Sequence, residues 1–301
     1  MTFYARLRQN ERRRDSDELA ACIERVVNQL EQETTTGDRP GMLLGKIQSG
    51  KTRGFIGVIA RGFDHGFDIA LVLTKGTKTL SAQTVARLNA DFEEFINEDE
   101  LLVLDIMKLP GKLTRSELKR KIVIVAKKQA QNLERLTDFI KNNAELQNRR
   151  VLLIDDEADL ASIRFIQKRG NVDMEQGKIA EKMDALRRMV NDIAFLQVTA
   201  TPYSLYLQPE GYETSLGNRD YIFKPKKPAF TELLPIHAGY VGGNDYFSVF
   251  DEENPRARLY VEVDQKEQDS LRNQDKQRIS ASKILDNSNI VGLRRAIITL
   301  L

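Results

Sequence analysis

The chain has 301 residues, 41% hydrophobic and 30% charged, with 46 Lys and Arg against 44 Asp and Glu. That length suits one sizeable α/β domain with additions, and the recurring apolar runs exclude a wholly disordered chain. The net charge of +2 lacks the basic excess of a dedicated nucleic-acid binder, although a local basic groove suffices for binding.

The lone cysteine, Cys22, leaves no intrachain disulfide or cysteine metal cluster, and His65 and His237 are too few for a histidine-rich site. No run approaches the roughly 18 apolar residues of a membrane span, and Met1 to Arg14 lacks a signal-peptide core. The expectation is a cytoplasmic protein with no membrane partner.

Residues 1–37 read as an N-terminal helical segment, with Leu19, Ile23, Val26, Val27 and Leu30 at helical spacing. The cluster Arg12-Arg13-Arg14 reads as solvated surface. Residues 38–207 alternate short apolar runs with amphipathic stretches. The runs are Met42–Leu44, Ile69–Leu73, Leu101–Leu104, Ile122–Val125, Val151–Ile154 and Phe195–Val198. The helical stretches include Ser81–Phe95, Ala130–Ile140 and Ile179–Val190. Continuous apolar strands separated by helices predict an α/β fold, a mainly parallel sheet of about six strands covered on both faces. Residues 208–278, with five prolines, read as an irregular extension with one strand at Leu259–Val263. Residues 279–301 read as the start of a helical region, and the apolar ending Ala296–Leu301 suits the middle of a domain.

Three motifs carry chemistry. Gly45-Lys46-Ile47-Gln48-Ser49-Gly50-Lys51-Thr52 matches the phosphate-loop pattern in full, between an apolar run and a helical stretch. Glycines let backbone N–H groups close around a triphosphate, and the following helix turns its positive end towards it. Gly45, Gln48, Ser49 and Gly50 would form the cradle. Lys51 would reach the β- and γ-phosphates, and the Thr52 hydroxyl would hold Mg²⁺. The second motif is Val151-Leu152-Leu153-Ile154-Asp155-Asp156-Glu157-Ala158-Asp159, carboxylates at the end of a buried strand. Asp156 is read as the Mg²⁺ anchor and Glu157 as the base that activates water, with Asp155 and Asp159 unassigned. The third, Thr199-Ala200-Thr201-Pro202, offers hydroxyls that would report the γ-phosphate state.

In this order and spacing the motifs closely resemble the first RecA-like domain of superfamily-two helicases and translocases, over roughly residues 40–207. The resemblance implies ATP as the nucleotide and places Gln83, Thr84 and Arg87 on the nucleic-acid backbone. It also implies a second RecA-like domain, or a partner protein, supplying arginine fingers. A narrower likeness joins Gly41–Thr52, Ile154–Ile163, Thr199–Tyr203 and Tyr240-Val241-Gly242-Gly243. Together these resemble the Z-one domain, a helicase-like family named as endonucleases and associated with bacterial restriction and phage-defence clusters. That resemblance spans most of residues 20–301 and breaks off before the family's domain ends. It implies a nucleic-acid motor, with DNA the expected partner; the alternative is a nucleotide-dependent switch that binds a protein and turns over little. For strand cleavage the residues offer only Asp264-Gln265-Lys266, with Asp245 and Asp251 upstream.

Overall fold

The computed structural model describes residues 1–10, 13, 15–36, 39–46, 49–74, 78–156, 167–168, 171–172, 182–183, 185–201, 213–216, 219–222, 228–243, 263–274, 290–292 and 294–295. Two compact units divide the chain, Met1–His237 and Ala238–Leu301.

The first unit begins with helices α1 (Phe3–Gln9) and α2 (Asp17–Gln32). The Ser16 hydroxyl caps α2 by accepting the Leu19 N–H at 3.2 Å, and Asp17 and Glu18 sit in the first turn, where the helix dipole favours them. Its Cys22, Ile23, Val26, Val27 and Leu30 form one buried stripe. Then follow β1 (Gly41–Leu44), α3 (Lys51–Asp64), β2 (Ile69–Thr74), α4 (Lys78–Asp91), α5 (Glu93–Asn97), β3 (Leu101–Asp105), β4 (Lys121–Lys127), α6 (Ala130–Asn142) and β5 (Arg150–Asp156). Two short antiparallel pairings, β6 (Gln167–Lys168) with β7 (Asn171–Val172) and β9 (Glu213–Leu216) with β10 (Arg219–Ile222), are separate from the main sheet, which is completed by β8 (Asp192–Thr199) and β11 (Phe230–Leu233).

The sheet has seven strands in the order β11-β1-β8-β5-β2-β4-β3, every neighbouring pair parallel. This is the RecA-like α/β fold of a P-loop NTPase. Each of the six expected runs is a strand. The seventh, β11, comes from the stretch read as irregular: four residues with alternating burial are a weak signal, and the strand exists because β1 offers it an edge. The expected strand Leu259–Val263 lies outside the described residues up to its last position.

Alternation sorts the strand side chains into two cores. Ala70, Val72, Val123, Val125, Leu152, Ile154, Leu196 and Val198 join α1, α2, α3 and Leu88, Phe92 and Phe95. Ile69, Leu71, Leu73, Ile122, Ile124, Val151, Leu153 and Phe195 join α6, Leu146, Leu186 and Val190. A sheet buried on both faces accounts for runs that look uniformly apolar in sequence.

In the second unit, α7 (Gln265–Gln274) starts at Asp264, whose carboxylate accepts the Glu267 N–H at 2.8 Å. Among the described residues no helix is long and apolar enough to cross a membrane.

Candidate nucleotide site

All seven strands run the same way, so their C-terminal ends share one edge of the sheet, the edge at which open α/β sheets bind ligands. The chain leaves β1 at Leu44 and enters α3 at Lys51, which puts the phosphate-loop motif on that edge. Gly50 has φ +90°, the left-handed region open to glycine, and turns the loop into the helix. A Cβ on Gly45 would lie 2.7 Å from the Ser49 hydroxyl and 2.8 Å from Lys51 Cγ, so the loop closes only over a glycine. The Gly45 N–H donates to the Thr199 carbonyl at 3.0 Å, fastening the phosphate loop to the third motif. Register agrees, since Leu44 pairs with Thr199.

Three features suit this loop to a polyphosphate. The Lys51 ammonium donates to the Lys46 carbonyl at 3.2 Å, folded back over the loop. Ser49 is buried, and its hydroxyl oxygen has no hydrogen-bond partner among the described residues. The 14-residue helix α3 directs its free N–H groups and positive end at the same place. Thr52 is half-buried in the first turn of α3. Gln48 lies outside the described residues.

β5 carries the acidic motif two strands from β1, with β8 between them. Asp155 and Asp156 are the last residues of β5 and point to opposite faces. Asp156 follows the parity of Leu152 and Ile154, which is the α3 side of the sheet, and is half-buried. Asp155 follows Val151 and Leu153 onto the α6 side, where it is buried and forms an ion pair with the buried ammonium of Lys128, just past the end of β4. The structure therefore separates two carboxylates that are adjacent in sequence. Lys128 escaped the sequence reading; the pair Lys127-Lys128 directly after the apolar run Ile122–Ala126 was its only signal. Glu157 and Asp159 lie outside the described residues.

Thr199 is fully buried at the end of β8, and its hydroxyl accepts the Thr201 N–H at 3.1 Å. Both threonines thus sit at the strand end between the phosphate loop and Asp156, one strand from each. The three expected nucleic-acid contacts divide on α4. Gln83 and Arg87 are exposed and one turn apart, whereas Thr84 is buried and its hydroxyl donates to the Leu80 carbonyl of its own helix at 3.1 Å.

In the second unit, the nuclease-like Asp264 is the cap of α7, and its carboxylate is engaged by the helix N-terminus. Asp245 and Asp251 lie outside the described residues. Among the described residues no group of three or more His, Cys, Asp or Glu side chains could hold a metal ion.

No family model matches the chain, and no curated protein matches it. Among solved structures, the DUF1998 helicase MrfA bound to DNA is similar, with a TM-score of 0.45 and 13% identity over 71% of this chain. The match takes in 26% of that helicase, so the chain spans about a quarter of its length. The Aeropyrum pernix ORC2 protein matches at a TM-score of 0.34 and 14% identity, covering 94% of this chain and 68% of that one. The ATPase domain of the Thermus phage P74-26 large terminase matches at 0.34 and 13%, covering 82% and 93%. Likenesses this distant say nothing of ligand or substrate; the assignment to the P-loop NTPase fold rests on the sheet and its loop.

Proposed function

We propose that the chain is the ATP-binding and ATP-hydrolysing core of a helicase- or translocase-like motor acting on nucleic acid, with DNA the expected partner. The observation that carries this reading is the meeting of a complete phosphate loop, Asp156 and Thr199 at the C-terminal ends of three neighbouring parallel strands. Gly45, Gln48, Ser49 and Gly50 cradle the phosphates. Lys51 neutralises the β- and γ-oxygens, and Thr52 and Asp156 hold Mg²⁺. A bound Mg²⁺–ATP supplies the reactive phosphoanhydride. Glu157 orients and deprotonates the attacking water. Thr199 and Thr201, tied to the loop through Gly45, carry the change at the γ-phosphate to the rest of the sheet.

Gln83 and Arg87, on the exposed face of α4, contact the nucleic-acid backbone. The Thr84 hydroxyl donates to the Leu80 carbonyl of its own helix, and a phosphate contact there would need it to turn from that bond. Arginine fingers come from a second RecA-like domain or a partner protein. The motif likeness to the Z-one family supports a setting in bacterial restriction or phage defence, and the lone cysteine suits a reducing cytoplasm.

Calorimetry with Mg²⁺–ATP on wild type and Lys51→Ala tests the nucleotide reading. Loss of the charge-assisted phosphate contact should weaken binding by about 1.5–3 kcal/mol, and equal affinities would overturn it. Adding DNA or RNA to an ATPase assay tests the motor. Stimulated turnover supports it, whereas ATP binding with little turnover and no response to either polymer identifies a nucleotide-dependent switch.

A further inference from the structure

Arg13 lies in the basic cluster that the sequence reads as solvated surface, yet its side chain is 1% exposed. Its guanidinium is divided among the connection before α2 and the helices α4 and α3. Nε donates to Asp15 Oδ2 at 2.8 Å, and Nη1 donates to Asp91 Oδ2, at the end of α4, at 2.8 Å. Nη2 donates to the backbone carbonyl of Arg53 in the first turn of α3. The fully buried Asp15 carboxylate is shared: Oδ1 accepts Arg53 Nε at 2.8 Å, and Oδ2 also accepts the Tyr4 hydroxyl at 3.3 Å.

Helix α3 is shaped to admit this group. A Cβ on Gly57 would lie 2.9 Å from Arg13 Nη2 and 2.3 Å from Ile23 Cδ1. Gly57 is also the residue whose N–H faces the Arg53 carbonyl in a helix, so the missing side chain opens that carbonyl to Arg13.

Two cations and two anions close on one another here. Desolvating them offsets most of their attraction, so the cluster adds little stability over an apolar filling, but it fixes directions. A planar guanidinium with donors pointing three ways does this, and a lysine ammonium does not.

We propose that Arg13 is a positioning residue for the nucleotide site. With Asp15 it fixes the first turn of α3, which begins with Lys51 and Thr52, and ties that turn to the end of α4. It acts through Arg53 and touches no nucleotide. The inference rests on reading the Gly45–Thr52 loop as the nucleotide site.

The test compares Arg13→Met, Asp91→Asn and, as a control, Arg6→Met. Arg6 belongs to the same N-terminal segment but binds Glu94, Glu98 and Glu100 and stacks on Phe95, with no ion pair or side-chain hydrogen bond to α3 among the described residues. Amide hydrogen exchange is read without nucleotide at Gly54 to Gly57, alongside Mg²⁺–ATP affinity by calorimetry. Arg13→Met should speed exchange at these four amides on the order of tenfold or more, the factor for a lost buried hydrogen bond to a charged group, and leave β2, β4 and β5 unchanged. ATP affinity should fall with it. Asp91→Asn should act in the same direction and less, and Arg6→Met in neither assay.

Unchanged exchange at Gly54 to Gly57 in Arg13→Met overturns the proposal, as does a uniform rise across the sheet or an equal effect of Arg6→Met. If Arg13→Met does not fold, Asp91→Asn decides by the same criteria. A wild type that binds no Mg²⁺–ATP, while the α3 amides still respond, refutes the nucleotide reading and leaves Arg13 only as a clamp on the first turn of α3.

Discussion

Neighbouring residues of one type take different tasks because a strand sends them to different faces. Asp155 is consumed by Lys128 on the α6 side, while Asp156 is delivered to the side of the phosphate helix. This narrows the acidic motif to Asp156 and the residues after it. Glu157→Gln keeps shape and hydrogen bonding but removes the base. It should leave ATP binding nearly intact and lower hydrolysis by roughly 10²–10⁴-fold. Asp156→Ala should also weaken the Mg²⁺-dependent part of binding, because the cation loses a protein anchor. Single-turnover hydrolysis and calorimetry, in the presence of whatever domain or partner completes the site, separate the two. Wild-type turnover in Glu157→Gln would return the base assignment to Asp159, since Asp155 faces away. Arg13 makes the same point about tertiary context. Within Arg12-Arg13-Arg14 nothing distinguishes one arginine from its neighbours, and burial follows from the position of Asp15, Asp91 and Gly57 around it.

At the scale of elements, the phosphate loop is supported by a strand that the sequence hides. β11 pairs with β1, and the Leu234 N–H that follows it donates to the Leu44 carbonyl at 2.8 Å. The Leu234 side chain is buried against the two glycines that flank the loop: a Cβ on Gly54 would lie 2.6 Å from it, and one on Gly45 3.2 Å. α2 holds the same strand as well, with Arg25 and Gln29 on Glu232. Leu234→Ala opens a cavity beneath the loop and should cost about 2–5 kcal/mol of stability. Urea unfolding gives the number, and a change under about 0.5 kcal/mol would mean that β11 does not brace the loop. ATP affinity should fall in the same variant, since the loop loses its backing.

For the first unit as a whole, carboxylates paired with arginine, lysine or histidine across elements set the acid limit of stability. The bond from Arg61 holds the Glu24 carboxyl below its ordinary 4.5. For Glu31 burial pushes upward, and His65 with Arg150 outweighs it; for Asp68 burial again pushes upward, and Lys121 with Arg149 brings it below 3.8. Groups depressed in the folded state add stability that is complete above the ordinary carboxylate range and disappears as pH falls through and below it. The urea midpoint should therefore be level from neutral pH to about 5 and drop below about 4. Asp68→Asn should make that drop shallower; an unchanged acid slope would remove Asp68 from the account.

Much of this molecule is fixed by local pattern. Apolar runs long enough to be buried on both faces specify the six expected strands, and the amphipathic stretches specify α2, α4 and α6. The phosphate loop is legible because its chemistry is contiguous: glycine turn, lysine and threonine must follow one another to wrap one ligand. Only the tertiary structure decided the rest. β11 has no pattern of its own and is a strand because β1 presents an open edge. Lys128 meets Asp155, and Arg13 meets Arg53 and Asp91, across 27, 40 and 78 residues of chain respectively. Contacts of that kind leave no local trace, since a charged side chain looks the same in sequence whether its partner is water, a backbone carbonyl or a buried carboxylate.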